Sequence, residues 1–382
     1  MRAFGHGFTS VLLAVYLIFL GGGETQVIAS LGLSLASAAA VNVLIGRYGE
    51  RFGRRRTMAA VGVLMGISGV LLAAAPGFPV ALMALALGAT SPTGTEVSPF
   101  LPVEQSIVAE ASDPGRRTRA FAVYNLAGTL ASALGSLASG LPALFLGAPP
   151  MTADPLRPMF LLYAGIGIAA TVLSLALPRT VEVSRIAAAA PLTAPSRSRI
   201  ARMASLFAVD SYAGGFVLQS FVAFWFFTTY PESLPVLGVI FFLAGILSAL
   251  SFLAAARLGE RYGLLETMVF THLPANVLLI LIPLAPGFLA ALGLYLARMA
   301  LSQMDVPTRQ AYLAGIVARE ERTTANAVTG TARNVAQAAG PFSAGLVIPL
   351  GLPFPFLLGG GLKIAYDVSV FVLFRRIKPT EV

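Results

Sequence analysis

Nine ionisable residues fall inside long apolar stretches of this sequence: Glu96, Glu104, Asp210, Arg298, Asp305, Arg309, Arg333, Lys363 and Asp367. Each such charge costs at least about 2.5–3.5 kcal/mol to place in hydrocarbon, so it needs a partner or a wet cavity. The chemistry open to the set is proton binding by the acids and anion contact by Arg298, Arg309 and Arg333. Asp210 is expected to pair with a base on a neighbouring helix or to titrate as a proton site. Lys363 and Asp367 lie four apart and are expected to neutralise each other. Arg333, with Asn334 and Gln337, forms a polar face that touches substrate or bonds another helix. His6 and His272 stand alone, without a second ligand at metal spacing, so neither a metal site nor a cofactor is assigned. There is no cysteine, hence no disulfide and no thiolate site. Trp225 and the aromatic run from Phe221 to Phe227 are expected to pack or to face lipid, the alternative being a pocket wall.

The elements that carry these residues follow from composition. The chain has 382 residues, 57% hydrophobic and 11% charged, against about 25% charged in soluble proteins. Such a chain is an all-α integral membrane protein embedded in the bilayer. Its net charge of +9 lies in short loops between apolar runs, which excludes nucleic acid as the partner. Twelve apolar segments can be placed, at 4–20, 26–45, 57–75, 80–110, 118–141, 158–177, 204–230, 235–256, 267–284, 287–317, 324–348 and 354–374, each near the ~20 residues a spanning helix needs. They divide into a six-helix bundle over 1–177, a polar cytoplasmic linker over 178–202 and a second bundle over 203–382 with a short basic tail. With both termini inside, 21 of the 26 Lys and Arg fall on the inner side and only Arg157 in an outer loop. That asymmetry fixes the orientation. Helix 1 reads short at its cytoplasmic end, so either the start is internal to a longer gene or the helix begins part-way into the bilayer.

The fourth segment is interrupted by Ser91-Pro-Thr-Gly-Thr-Glu-Val-Ser-Pro99, with Pro102 beyond, and the tenth carries Pro307 at the matching place. Proline removes a backbone donor and leaves a carbonyl unpaired. At membrane depth that survives only where protein or a cavity covers it, and paired breaks in two halves point to a binding site. The alternative makes Ser91–Pro99 an outer loop.

The halves are copies. Glu50-Arg-Phe-Gly-Arg-Arg-Arg-Thr-Met58 returns 210 residues later as Glu260-Arg-Tyr-Gly-Leu-Leu-Glu-Thr-Met268. Phe4-Gly-His-Gly-Phe8 returns as Tyr212-Ala-Gly-Gly-Phe216 at an offset of 208, and Pro102-Val-Glu-Gln105 as Pro307-Thr-Arg-Gln310 at 205. The repeat therefore pairs Arg2 with Asp210 and Glu104 with Arg309, opposite charges at equivalent places. Glu104 and Arg309 either latch the two halves together or are each satisfied within their own half.

The first of these loops resembles the G-x-x-x-D-R-x-G-R-[RK]-[RK] signature of the major facilitator superfamily, through Gly46, Glu50, Arg51, Gly53, Arg54, Arg55 and Arg56, with Glu in place of Asp. The resemblance implies two pseudo-symmetric six-helix bundles that rock about a cavity lined by helices 1, 4, 7 and 10. It also implies that Glu50 docks at the start of helix 11. Drug–proton antiporters of that family carry a Gly-Pro-Gly motif in helix 5. Here helix 5 has Gly128, Gly135, Gly140 and Pro142, and a fuller pattern, Gly340-Pro341 to Gly345, lies in helix 11. The implied function is secondary active transport of a small organic solute, coupled to protons and directed outward, by a monomer in a prokaryotic inner membrane with both termini cytoplasmic. Two alternatives stay open: an importer of an organic anion, favoured by Arg298, Arg309 and Arg333, and a transport-dead sensor. No Walker-type or His-Glu-x-x-His motif supports an enzyme.

Overall fold

The computed structural model describes residues 1–94, 99–111, 117–146, 152–182, 192–230, 232–318 and 321–377. Its helices are α1 (Arg2–Phe19), α2 (Glu24–Phe52), α3 (Arg54–Ala74), α4 (Phe78–Ala86), α5 (Leu101–Ala111), α6 (Arg117–Ala138), α7 (Leu141–Leu146), α8 (Arg157–Ala176), α9 (Ala194–Phe216), α10 (Gln219–Thr229), α11 (Leu234–Tyr262), α12 (Leu264–Leu281), α13 (Phe288–Ser302), α14 (Asp305–Gly315), α15 (Arg322–Val347) and α16 (Phe354–Phe374). Among the described residues nine helical spans are long and apolar enough to cross a membrane. The expected segments missing from that set are the fourth, tenth and eleventh. The fourth and tenth are broken, and α15 is too polar. Two compact units result: residues 1–186 with 218–242, and residues 187–217 with 243–382.

In the first unit the fourth segment splits into α4 and α5, and no described residue between them is helical. Gly88 and Gly94 sit at φ +68° and +82°, a region that favours glycine. The carbonyls released by the break find donors. Tyr163 Oη bonds Ala89 O at 2.6 Å, Ser34 Oγ bonds Thr90 O at 3.0 Å, the Ser220 amide bonds Pro92 O at 3.1 Å, and Ser132 Oγ bonds Gly94 O at 2.8 Å. Irregular backbone in a membrane protein needs such internal partners. The seventh segment also breaks, at Val217 and Leu218. Its second piece, α10, stays with the first unit, where Gln219 Nε2 reaches Ser10 Oγ at 2.8 Å and Ser220 Oγ bonds Ser10 O at 2.7 Å. Phe221, Phe224, Trp225 and Phe226 are buried there, so the aromatic run packs against protein.

The second unit contains α9, the remainder of α11, and α12 to α16. Ile200, Met203 and Phe207 of α9 pack with Leu265 and Met268 of α12, Tyr312 of α14 and Tyr366, Val370 and Phe374 of α16. The tenth segment breaks after Ser302, and α14 restarts at Asp305, so Pro307 lies in its first turn. The polar stretch expected as linker up to residue 202 is helical from Ala194. Pro195 suits a first turn, and Ile200 is fully buried, which anchors an otherwise polar sequence.

Without a hydrophobic drive between helices, contact inside a bilayer rests on small residues and close backbones. The repeat shows this at one crossing. A Cβ on Gly7 would lie 2.0 Å from Ser132 O, and one on Gly135 would lie 2.0 Å from Phe4 O. At the equivalent crossing of α9 and α15, Gly215 would meet Gln337 O at 2.6 Å and Gly340 would meet Tyr212 O at 2.5 Å.

Candidate functional site

Three helices of the second unit each turn an i,i+4 pair inward, and the pairs converge on Asp210. That spacing puts both members on one helix face. From α16, Lys363 Nζ lies 2.5 Å from Asp210 Oδ1. From α14, Arg309 Nη1 lies 2.8 Å from Asp305 Oδ2 and 3.4 Å from Asp210 Oδ2. From α12, His272 Nδ1 lies 2.8 Å from Asp367 Oδ1, while its Nε2 is 3.9 Å from Asp210 Oδ1. Asn276 Nδ2 donates to Asp367 Oδ2 at 2.8 Å. Asp210, Asp305 and Arg309 are 4–5% exposed and Asp367 is fully buried. The Arg309 guanidinium also rests on the Phe207 ring at 5.3 Å, and Tyr366 meets the His272 ring edge-on.

Asp210 therefore pairs with bases on two neighbouring helices. Lys363 and Asp367 do not neutralise each other: one face of α16 presents both, but Lys363 goes to Asp210 and Asp367 goes to His272 and Asn276. His272 is not isolated, since α16 supplies a carboxylate that the sequence places 95 residues away. His6 bonds Tyr163 Oη through Nδ1 at 3.1 Å. Arg333 Nε donates to Ser211 Oγ at 3.1 Å. Arg298 Nη1 donates to Met299 Sδ at 3.4 Å.

The first unit carries the inverted pair. Arg2 bonds Glu104, Tyr124 Oη donates to the same carboxylate oxygen, and Arg2 stacks over Phe100 at 5.1 Å. Among the described contacts, Glu104 and Arg309 each have a partner within their own unit. Glu96 and the Glu50 side chain lie outside the described residues.

The signature loop ends α2 at Gly53, whose φ of +85° matches the +99° of Gly263 in the second copy. The Glu182 carboxylate docks on the new helix there, accepting the Arg54 amide at 2.7 Å and the Arg55 amide at 3.3 Å. A helix N-terminus favours a negative charge. Arg54 Nη1 also bonds Val181 O at 3.2 Å, and Arg55 bonds Leu175 O. Arg51, Arg55, Arg56 and Arg179 line a cavity of about 620 Å³ together with Glu182. Gly46 lies in the body of α2, in open space. Sequence reasoning passed over His272, Asn276 and Glu182. The usable signal for the first two was their i,i+4 spacing within an apolar helix.

Comparison with known proteins places this architecture. A family model described as Major Facilitator Superfamily matches residues 1–304. The uncharacterized membrane protein YJR124C of Saccharomyces cerevisiae is 24% identical over 413 residues, covering 99% of this chain and 92% of that protein. The structure of the nucleoside transporter NupG is similar at TM-score 0.75, with 14% identity and 99% and 98% coverage of the two chains. A D-xylose-proton symporter is similar at 0.73, with 16% identity and 97% and 94% coverage. The human organic anion transporter MFSD10 is similar at 0.65, with 17% identity and 97% and 96% coverage. The chain belongs to the major facilitator superfamily.

Proposed function

We propose that this chain is a proton-coupled secondary active transporter of a small organic solute, working by alternating access between a bundle of residues 1–177 and one of residues 203–382. In this reading it is a monomer of a prokaryotic inner membrane with cytoplasmic termini, moves its solute outward and does not transform it. The observation that carries the reading is the buried cluster around Asp210. In direct contact it sets three carboxylates (Asp210, Asp305, Asp367) against two basic side chains (Arg309, Lys363), with His272 between two of the acids. A buried excess charge is expensive, and one proton on His272 removes it. A protonated His272 also competes with Lys363 for Asp210 Oδ1, since both approach that oxygen. Proton arrival thereby loosens the tie between α9 and α16, and proton loss restores it. A ligand shifts such an equilibrium only through its differential hold on the two states, and here the proton has one.

The test uses the full-length protein in liposomes with an entrapped pH dye. A solute found by a thermal-shift panel of drugs, sugars, amino acids and organic acids is added on either side. Solute movement should carry protons, with efflux and uptake arms giving the direction. His272→Gln should uncouple the two while solute binding persists. Solute flux with no proton flux in the unmodified protein would rule the reading out.

A further inference from the structure

Two buried polar atoms on one face of α13 have no partner among the described residues: Arg298 Nε and Ser302 Oγ. They are four residues apart, so they face the same way. The hydrogen bond described for Arg298 runs to a thioether sulfur, a weak acceptor. Ion pairs within the cluster engage Asp210, Asp305 and Asp367 with Arg309, Lys363 and His272, and none of the described ion pairs includes Arg298. Ser302 is equally unusual. A serine or threonine in a helix commonly bonds the carbonyl one turn back, as Ser248, Thr308 and Thr329 do in the same unit. Ser302 leaves its hydroxyl pointing elsewhere, although it is only 5% exposed. Buried polar atoms without partners are rare, and an unseen ligand or ion is one of the few explanations. Both atoms can donate, and a guanidinium presents parallel donors that fit a carboxylate or another oxyanion.

We infer that Arg298 and Ser302 bind an oxyanion group of the transported solute, so that the substrate class is organic acids. This deepens the transporter reading above and rests on it. In the apolar segments of the second half, the bases Arg298, Arg309, Arg333 and Lys363 outnumber the acids Asp210, Asp305 and Asp367. The anion would draw on Arg298 and Ser302, neither of which belongs to the described ion pairs around Asp210.

The experiment is a binding comparison on purified full-length protein, by Tm shift and equilibrium dialysis, with probes of the same shape that exchange a carboxylate for a neutral amide: benzoate against benzamide, and nicotinate against nicotinamide. The acid of at least one pair should raise Tm more than its amide. Arg298→Gln should abolish that preference, a loss of about tenfold or more in affinity. Arg298→Lys keeps the charge without the fork and should retain part of it. Ser302→Ala should weaken the acid by a smaller factor and leave the amide unchanged. No acid preference in the unmodified protein would overturn the proposal, and so would a preference that survives in a folded Arg298→Gln. Proton flux in liposomes is scored separately. If flux persists while the acid probes fail, the anion site falls and the transporter reading stands. If the acids bind through Arg298 without proton flux, the site stands and the coupling falls.

Discussion

The contact of α3 with α8 and that of α12 with α16 occupy the same place in the repeat, yet they are built from opposite chemistry. In the first unit Gly62 and Gly69 of α3 and Gly167 of α8 let two backbones close on each other. A Cβ on Gly62 would lie 2.4 Å from Thr171 Oγ1, and one on Gly69 would lie 2.6 Å from the Ala164 amide nitrogen. The outer side of α3, at Val63, Ile67 and Val70, is exposed and apolar, as a lipid-facing surface should be. In the second unit the offset of 210 puts His272 and Asn276 where Gly62 and Gly66 stand. The helices there meet through Asp367 as well as through Gly360, where a Cβ would lie 3.2 Å from Asn276 O. Close packing and interhelical hydrogen bonds are the two means of joining helices in hydrocarbon. At this contact the first unit relies mainly on close packing, and the second adds buried charged groups to it. The second means burial of charge, which is costly in a membrane, so its retention fits a role for the charges themselves. The same asymmetry marks the pairs Arg2–Glu104 and Asp210–Arg309. They sit at equivalent positions with reversed polarity, but only the second is extended by a histidine.

Removing the hub of the polar interface should have the largest effect. Asp210→Ala leaves Lys363 buried without its partner, and breaking a buried pair this way costs about 3–5 kcal/mol. The thermal midpoint of the purified variant should fall steeply. Asp210→Ala with Lys363→Met removes both charges and should recover most of the loss. A single variant as stable as the parent would erase the distinction between the halves.

The packed interface should break by crowding instead. Gly62→His with Gly66→Asn imports the second unit's residues into the first. Overpacking a close interface typically costs about 1–3 kcal/mol, and at Gly62 the nearest obstruction is a threonine that can turn only a little. Thermal scanning should show the loss, while the pH dependence of transport in any folded fraction should match the parent. A changed pH profile would mean that coupling is not confined to the second unit.

Much of this contrast was legible from the residues, and the part that was not has a physical reason. The repeat offsets place Gly7 on Gly215 and Gly135 on Gly340, and the structure has those glycines at equivalent crossings. The interruptions of the fourth and tenth segments follow from Pro92, Pro99 and Pro307 with their polar neighbours. The Asp210 cluster was visible only in pieces. Lys363 and Asp367 invite pairing along the helix, but four-residue spacing also aims both at whatever packs on that face, and Asp210 on one neighbour and His272 with Asn276 on another compete successfully. His272 is alone in sequence because its partners come from distant segments. The seventh helix reaches back to Ala194 because Ile200 is buried, which a polar Pro-Ser-Arg run conceals.

A smaller effect separates two accounts of Glu104 and Arg309. If each serves its own half, exchanging charges within a half should be tolerated better than exchanging them across halves. Arg2→Glu with Glu104→Arg should restore transport that either change alone reduces severalfold. Glu104→Arg with Arg309→Glu should restore none, since it leaves Arg2 facing an arginine and Asp210 facing a glutamate. Rescue by the cross-half exchange, or cross-linking of cysteines placed at those two sites, would favour a latch between halves.

The smallest effect concerns how each unit anchors a helix start. Glu182 caps α3 through the Arg54 and Arg55 amides, and Glu321 caps α9 through the Thr193 amide at 2.5 Å and the Ser196 hydroxyl at 2.6 Å. The Ser196 hydroxyl and the Thr193 amide hold the Glu321 carboxyl below its ordinary range. A carboxyl whose value is depressed by folding stabilises the folded state fully above its unfolded value, and that contribution fades as pH falls through the depressed one. The parent should therefore be slightly more stable than Glu321→Gln at neutral pH. The difference in thermal midpoint should shrink on acidification and vanish once Glu321 is protonated in the folded protein, because a protonated glutamate and a glutamine then offer Thr193 similar acceptors. A difference that stays constant from neutral pH down to the acid limit would show that the cap acts through shape rather than charge.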